Sequence, residues 1–407
     1  MKAVIVFHRR GRSSWLAACL LAASAFLLSA CGGGSDLPAA TAPQALSATA
    51  ALGKKIFFDT SLSASGALAC GSCHVPSRAH SGDDGLAVPL GGVDQITPGF
   101  RNAPSLRYLN LTPAFFFDSE GTPTGGFDRD GRADTFAAQS RRPLLAAHEM
   151  ANGDAATFAA KLQRASYVAD FTAIYGAGIF DDSDAALDRA TQAVQVYEQE
   201  DSGFHPYSSK FDDFLRGSQP LGEQELRGYA LYNNPLKGNC AGCHPSSVVA
   251  GALPLFTDFT YDNLGVPRNA EIPANADASY YDLGLCGPDR TDLVATHQDL
   301  CGAFKVPTLR NIALTAPYFH NGRFATLKEA LQFYVQRDTN PEKWYPSTAA
   351  GVQKFDDLPA EYQRNVNTTE VPYNRKLGDQ PALSDAEIDD LIAFLNTLTD
   401  ADLSPAD

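Results

Sequence analysis

The sequence predicts a mainly α-helical chain of two similar lobes with long irregular loops. Three observations carry that expectation. Helical periodicity marks the apolar stretches, and none alternates convincingly enough for a real sheet. The pattern Cys70-Gly-Ser-Cys73-His74 returns as Cys240-Ala-Gly-Cys243-His244. Each copy follows a helical stretch, which makes a weak internal repeat of helix and then cysteine pair. Cys-x-x-Cys-His is the attachment signal of c-type haem: two thiols add to the vinyl groups and the adjacent imidazole takes the iron. A zinc site of four thiolates would give no reason for a His after each pair. The pseudo-repeat is therefore read as two cytochrome c-like lobes, each with one covalent haem c.

In chain order, residues 1–30 read as a secretory leader. Lys2, Arg9, Arg10 and Arg12 precede an apolar run from Trp15 to Ala30. That run is too short and too near the start for a comfortable membrane span. Leu28-Ser-Ala-Cys31 resembles the bacterial lipobox, so Cys31 is expected to carry lipid and anchor the chain to a membrane. Gly32 lacks the Asp that retains lipoproteins at the inner membrane, which favours the outer membrane, on the periplasmic side. Residues 31–45, rich in Gly, Ser, Ala, Thr and Pro, form a flexible tether. The first lobe spans 46–204. It opens with a helix from Leu46 to near Asp59 and is helical again over 154–201, most clearly from Ala186 to Tyr197. Residues 205–221 read as the linker and 222–407 as the second lobe. There Glu223–Tyr232 is a helix, Thr326-Leu-Lys-Glu329 is a capping box opening a helix to about Gln336, and Ser384-Asp-Ala-Glu387 opens the terminal helix Ile388–Leu398. Residues 245–300 and 338–380 are irregular.

The eight cysteines divide cleanly. Cys19 leaves with the leader, Cys31 takes lipid and four hold haem. Cys286 and Cys301 remain, and an exported chain can oxidise them to a disulfide. The leader holds four cations and no anion, so its removal takes the net charge from −15 to −19. Such a surface repels nucleic acid and steers basic partners, such as a small electron-transfer protein.

Scarce residues narrow the iron chemistry. Met150 is the only methionine left after the leader, so a His/Met pair cannot exist at both haems. One iron is open or bound by something else, and an open iron is catalytic rather than merely conductive. His80, His148, His297, His320 and the tyrosines are the candidates. Tyr334 is the best of them: it shares the inward face of its capped helix with Leu327, Ala330 and Leu331.

Several further segments carry a resemblance: Phe100-Arg-Asn-Ala-Pro-Ser-Leu106, Asp130-Gly-Arg-Ala133, Leu144-Leu-Ala-Ala-His-Glu-Met150, Phe304-Lys-Val-Pro-Thr-Leu-Arg-Asn311 and Ala316-Pro-Tyr-Phe-His-Asn-Gly322. In this order around two haem sites they resemble the bacterial di-haem cytochrome c peroxidase and MauG superfamily, over about residues 46–398. The resemblance implies that the haem on His74 reacts with hydrogen peroxide and that the haem on His244 handles electrons. Glu149 matches the family's distal glutamate and Gln139 its distal glutamine. Glu149 would move the proton between the peroxide oxygens, and Gln139 or Arg132 would hold the leaving oxygen. Adjacent helical positions diverge, so only one of His148 and Glu149 is expected to face the iron, and the motif favours Glu149. The resemblance also implies one Ca²⁺ between the lobes, on the Asn102 side chain and the Thr315 and Pro317 carbonyls. Tyr334 stands where peroxidases have the methionine ligand of the second haem and where MauG-like members have an axial tyrosine.

Three departures qualify the match. Arg129 replaces the tryptophan between the haems, Trp344 lies in a Pro-flanked loop, and Leu90 stands where peroxidases place a histidine on the resting iron. Without that histidine, reductive activation is not required. The leading expectation is a peroxidase drawing electrons from a cytochrome c or cupredoxin. The alternatives are MauG-like oxidation of a partner protein and a lipid-anchored electron-transfer protein without catalysis.

Overall fold

Helices that must approach closely set the architecture. The structure, a computed structural model, describes residues 37–82 and 85–403. The leader, the lipidation site Cys31 and the first part of the tether lie outside the described residues. The N-terminal half carries α1 (Ala48–Phe57), α2 (Phe136–Leu145), α3 (Ala155–Leu162), α4 (Val168–Tyr175) and α5 (Ser183–Glu200). The C-terminal half carries α6 (Lys210–Arg216), α7 (Glu223–Tyr232), α8 (Leu327–Gln336) and α9 (Asp385–Asn396). Among the described residues, strands occur only as four antiparallel pairs of two residues each, so the absence of a real sheet is observed.

Each half is built on one helix crossing at a glycine. A Cβ on Gly53 of α1 would lie 1.9 Å from the Ala193 carbonyl oxygen of α5. A Cβ on Gly228 of α7 would lie 2.0 Å from the Asp390 carbonyl oxygen of α9. In both places only a bare Cα lets the backbones touch. Around the first crossing Leu52, Ile56, Phe57, Leu187, Ala190 and Val194 close a buried cluster. Around the second, Phe211, Tyr232, Phe256, Ile388, Leu391 and Phe394 do the same. Burying each such side chain is worth about 1.5–3 kcal/mol.

The capping boxes open their helices as the sequence indicates. Thr326 and Glu329 exchange side-chain-to-backbone bonds at the start of α8, and Ser384 and Glu387 do so for α9. The segment 205–221 is not a bare linker. It contains α6, opened by a Ser209–Asp212 capping box, and Phe211 and Asp212 are completely buried. The reason lies far along the chain: Asp212 takes two hydrogen bonds of 2.9 Å from the buried Arg310. The Arg310 guanidinium also lies over Tyr108, 4.5 Å from its ring centre. Tyr108 donates to Asp400, and Arg107 pairs with Asp400 and Asp402. The two halves are thus stitched by buried charge as well as apolar contact. Among the described residues no helix is long and apolar enough to cross a membrane.

Gly228→Ala should force α7 and α9 apart and cost about 1–3 kcal/mol, the range typical of overpacking. A lower thermal midpoint for the intact holoprotein, matched by Gly53→Ala, is the expected readout.

Candidate functional sites

The two cysteine motifs adopt the same local structure. Cys70–Cys73 and Cys240–Cys243 are single helical turns, each closed by the following His N–H donating 2.9 Å to the first cysteine's carbonyl. His74 has φ −119° and ψ 75°; His244 has φ −119° and ψ 70°. His74 Nδ1 donates to the carbonyls of His80 and Pro104, both at 3.1 Å. His244 Nδ1 donates to the Phe256 carbonyl at 2.8 Å. With Nδ1–H committed to a carbonyl, the lone pair is on Nε2, the tautomer a metal needs. Burial lowers the pKa of both imidazoles and keeps them neutral.

Burial also pushes the Cys70, Cys240 and Cys243 thiols up to about 12, so they do not favour the thiolate that zinc requires. Among the described residues no three His, Cys, Asp or Glu side chains converge as a metal site. The disulfide joins Cys286 and Cys301 and leaves the four motif cysteines out. These residues fit covalent haem at both turns.

In the N-terminal site, α2 ends at Leu145 and Ala146 turns extended, with ψ 132°. Residues 147–150 then form a turn, not a continuation of the helix. This corrects the expectation that His148 and Glu149 diverge: His148 Nε2 lies 3.4 Å from Glu149 Oε1. Arg142 Nη2 lies 3.8 Å from the same oxygen. Glu149 Oε2 is buried and bonds to no described residue. Beside the larger effect of burial, the Glu149 carboxylate is near enough for its charge to act upward on the pKa of both His74 and Cys70. Met150 turns into the N-terminal core and is no ligand. Phe100 packs edge-on to His148, 4.7 Å between ring centres.

Gln139 Nε2 reaches Asp128 at 3.4 Å. Arg132 does not join Glu149: it pairs with Asp128, Asp130 and Asp289 at 3.2, 2.8 and 3.4 Å. Three carboxylates hold it where they are, and Arg142 is the cation beside Glu149 instead. Arg142 follows Gln139 by three positions on α2, so helical spacing alone could have drawn attention to it. It is held in turn by Asp289, at 3.0 Å, from the disulfide-closed loop of the other half.

Two glycines complete the site. Gly92 N–H donates 2.8 Å to the Glu149 carbonyl, and a Cβ on Gly91 would lie 2.3 Å from the His148 carbonyl oxygen. Leu90 pairs with Pro98 in a two-residue ladder. His80 stacks on Phe204 at 4.1 Å, and burial brings it down to about 3. Since its carbonyl takes the His74 proton, it belongs to the proximal side and does not replace a distal histidine.

In the C-terminal half, Cys240, Cys243, His244 and Tyr334 line one cavity. Tyr334, on α8, packs between Phe319 and Tyr373, 5.5 and 6.1 Å away. Burial raises its pKa. A phenolate here needs a cation in the cavity. His320 stacks flat on Phe304 at 3.7 Å, and His297 on Phe117 at 4.6 Å, so neither is presented as a ligand. Trp344 is buried against Phe324 and Phe333 in a separate cluster.

Arg129, Asn102, Thr315 and Pro317 line the same cavity. Arg129 Nη2 donates to Asn102 Oδ1 at 2.8 Å and its Nε to the Asn102 carbonyl at 3.0 Å. Of the three oxygens expected to bind Ca²⁺, the one side-chain oxygen, Asn102 Oδ1, is therefore taken by a guanidinium, and a cation already stands where the ion would have to enter, so the calcium expectation does not fit these residues.

The comparisons with known proteins agree with this geometry. Residues 47–220 match the family described as di-haem cytochrome c peroxidase. The chain is 38% identical over 383 residues to the methylamine utilization protein MauG of Paracoccus denitrificans (strain Pd 1222), covering 91% of this chain and 94% of that one. It is 31% identical over 296 residues to the cytochrome c551 peroxidase of Nitrosomonas europaea, covering 72% and 74%. The crystal structure of the diheme peroxidase BthA from Burkholderia thailandensis E264 superposes with a TM-score of 0.82 at 40% identity, covering 89% of this chain and 88% of that one.

Gly91→Ala should push the 147–150 turn off its seat and misplace Glu149. Peroxide turnover is expected to fall about tenfold or more, as it does when a reacting group shifts by ~1 Å. Haem content, read by pyridine haemochrome, should be unchanged.

Proposed function

Because the chain belongs to the di-haem cytochrome c peroxidase family, which includes the MauG proteins, we propose that it reduces hydrogen peroxide at the N-terminal site with electrons relayed through the C-terminal one. The buried Glu149 Oε2 carries this reading: it is an acceptor that bonds to no described residue, in the same half of the chain as a His74 whose Nε2 is left for iron. A c-type haem held by Cys70, Cys73 and His74 supplies an iron able to exchange electrons with a peroxide oxygen. The chain's own residues handle the protons. Glu149 is placed to accept the proton of one peroxide oxygen and return it to the other, so that water leaves. Arg142 and His148 hold Oε1 and so aim Oε2. Gln139 offers a second donor on the same helix.

In the C-terminal site Cys240, Cys243, His244 and Tyr334 would hold the second haem, the tyrosine supplying a phenolate oxygen to its iron. Its place in the cavity that His244 also lines supports that assignment. The matched backbone at His74 and His244, and the glycine crossing in each half, support two cytochrome c-like lobes over 46–204 and 222–407. We also infer that the chain is exported and held by lipid at Cys31 on the periplasmic side. The leader pattern, the Cys286–Cys301 disulfide and covalent haem attachment support this reading. The electron donor is inferred to be a small cytochrome c or cupredoxin, basic enough to meet a surface of net charge −19 after leader removal.

Tyr334 favours a second reading. A phenolate stabilises oxidised iron, which suits peroxide-dependent oxidation of a partner protein, and MauG is among the relatives. Turnover of peroxide with a small reduced cytochrome as sole donor separates the two.

Electron paramagnetic resonance of the ferric holoprotein should show one high-spin or readily ligated iron and one saturated iron. Two saturated irons unaffected by peroxide would leave only an electron-transfer protein. Glu149→Gln should lower peroxide turnover by about 100-fold or more, the usual contribution of a positioned acid–base group, while both haems stay attached. Unchanged turnover would remove Glu149 from the mechanism.

A further inference from the structure

We propose that Arg129 is a resident cation in the place of the interlobe calcium, so that this protein holds both haem sites in position without a metal there. The oxygens of Asn102 are already satisfied. Asn102 accepts from Arg129 twice, on its side chain at 2.8 Å and on its carbonyl at 3.0 Å. The two bonds run from one planar group to two oxygens of one residue, a geometry that only a guanidinium supplies among side chains. Among the described residues no carboxylate lies within ion-pair distance of Arg129, so its charge is not spent on a protein anion. The nearby carboxylates are committed elsewhere: Asp282 to Arg101, and Asp130 to Arg101 and Arg132. A Ca²⁺ ion needs six to eight oxygens. At Asn102 it would have to displace the guanidinium and then face that charge, with Arg101 beyond it.

The bonds around Asn102 explain what the cation does. Two residues after Asn102, the Pro104 carbonyl takes the Nδ1–H of His74. Asn102 N–H donates 2.8 Å to the His320 carbonyl, in the segment that leads into α8 and Tyr334. The Arg129 backbone is fixed as well, since its carbonyl accepts from Lys305 N–H at 2.9 Å. One guanidinium therefore braces the strands of chain that present a ligand to each iron. The residue that removed the bridging tryptophan also removed the need for the metal. Arg129 is a positioning residue: it acts through Asn102 and touches neither reacting atom.

The test needs no peroxide, so its outcome is independent of the peroxidase reading. The di-haem holoprotein is dialysed against metal-free buffer, analysed for calcium, and its optical and paramagnetic resonance spectra are recorded with and without EGTA. Substoichiometric calcium and spectra indifferent to EGTA are expected. One calcium per chain that survives dialysis, or a ferric spectrum that changes on chelation, would overturn the proposal. Arg129→Ala should shift the ferric spectra of both haems in the absence of calcium. Arg129→Lys, which keeps the charge but cannot span both Asn102 oxygens, should shift them less and covers the case in which the alanine variant fails to fold. Spectra unmoved in both variants would refute the bracing role.

Discussion

The hydrogen bond from Nδ1 of each motif histidine to a main-chain carbonyl is the constraint on which the site depends. It selects the tautomer, fixes the ring plane and leaves Nε2 as the only free donor of a lone pair. The carbonyls come from irregular chain, at His80, Pro104 and Phe256, which explains why so much of this protein is loop. A loop can present a carbonyl in any direction, whereas a helix or ladder has already used its own. The helices serve the loops: each glycine crossing gives a rigid base from which one cysteine turn is delivered.

Around that constraint the two sites diverge in chemistry. In the first half the structure brings Glu149, His148 and Arg142 together, with one carboxylate oxygen left without a partner among the described residues. In the cavity lined by His244 it places a phenol among aromatic rings. Under the proposed function one side handles protons and the other holds charge. The same cysteine–histidine unit thus supports two roles, decided by what the rest of the chain brings to its open face.

Much of this was legible in the sequence, wherever the cause is local. Glu223–Tyr232 is a helix with the expected bounds, and the boxes at Thr326 and Ser384 open theirs, because caps and helix periodicity act over a few residues. The cysteine turns and the Cys286–Cys301 pairing were legible for the same reason or by elimination. What was missed depends on distant partners. Helix α6 hid inside an assumed linker because Asp212 finds Arg310 ninety-eight residues away. Arg132 was assigned to peroxide from the resemblance, although Asp128 and Asp130 stand four and two residues before it; only its third partner, Asp289, is distant. The 147–150 turn passed for helix because the apolar residues before it continue the pattern of α2. The Asn102 oxygens were assigned to calcium because the resemblance carried the ligand but not the arginine that replaced its neighbour.

Asp289 is the feature with the widest reach. It belongs to the second half, inside the disulfide loop, yet it anchors the arginine beside Glu149 in the first. The halves are therefore not interchangeable parts. A hybrid joining the first half of this protein to the second half of a relative would keep both porphyrins and still lose the grip on its proton carrier unless the donor contributed an equivalent aspartate. At this contact the two halves are coupled, and a change of Asp289 calls for a matching change at Arg142.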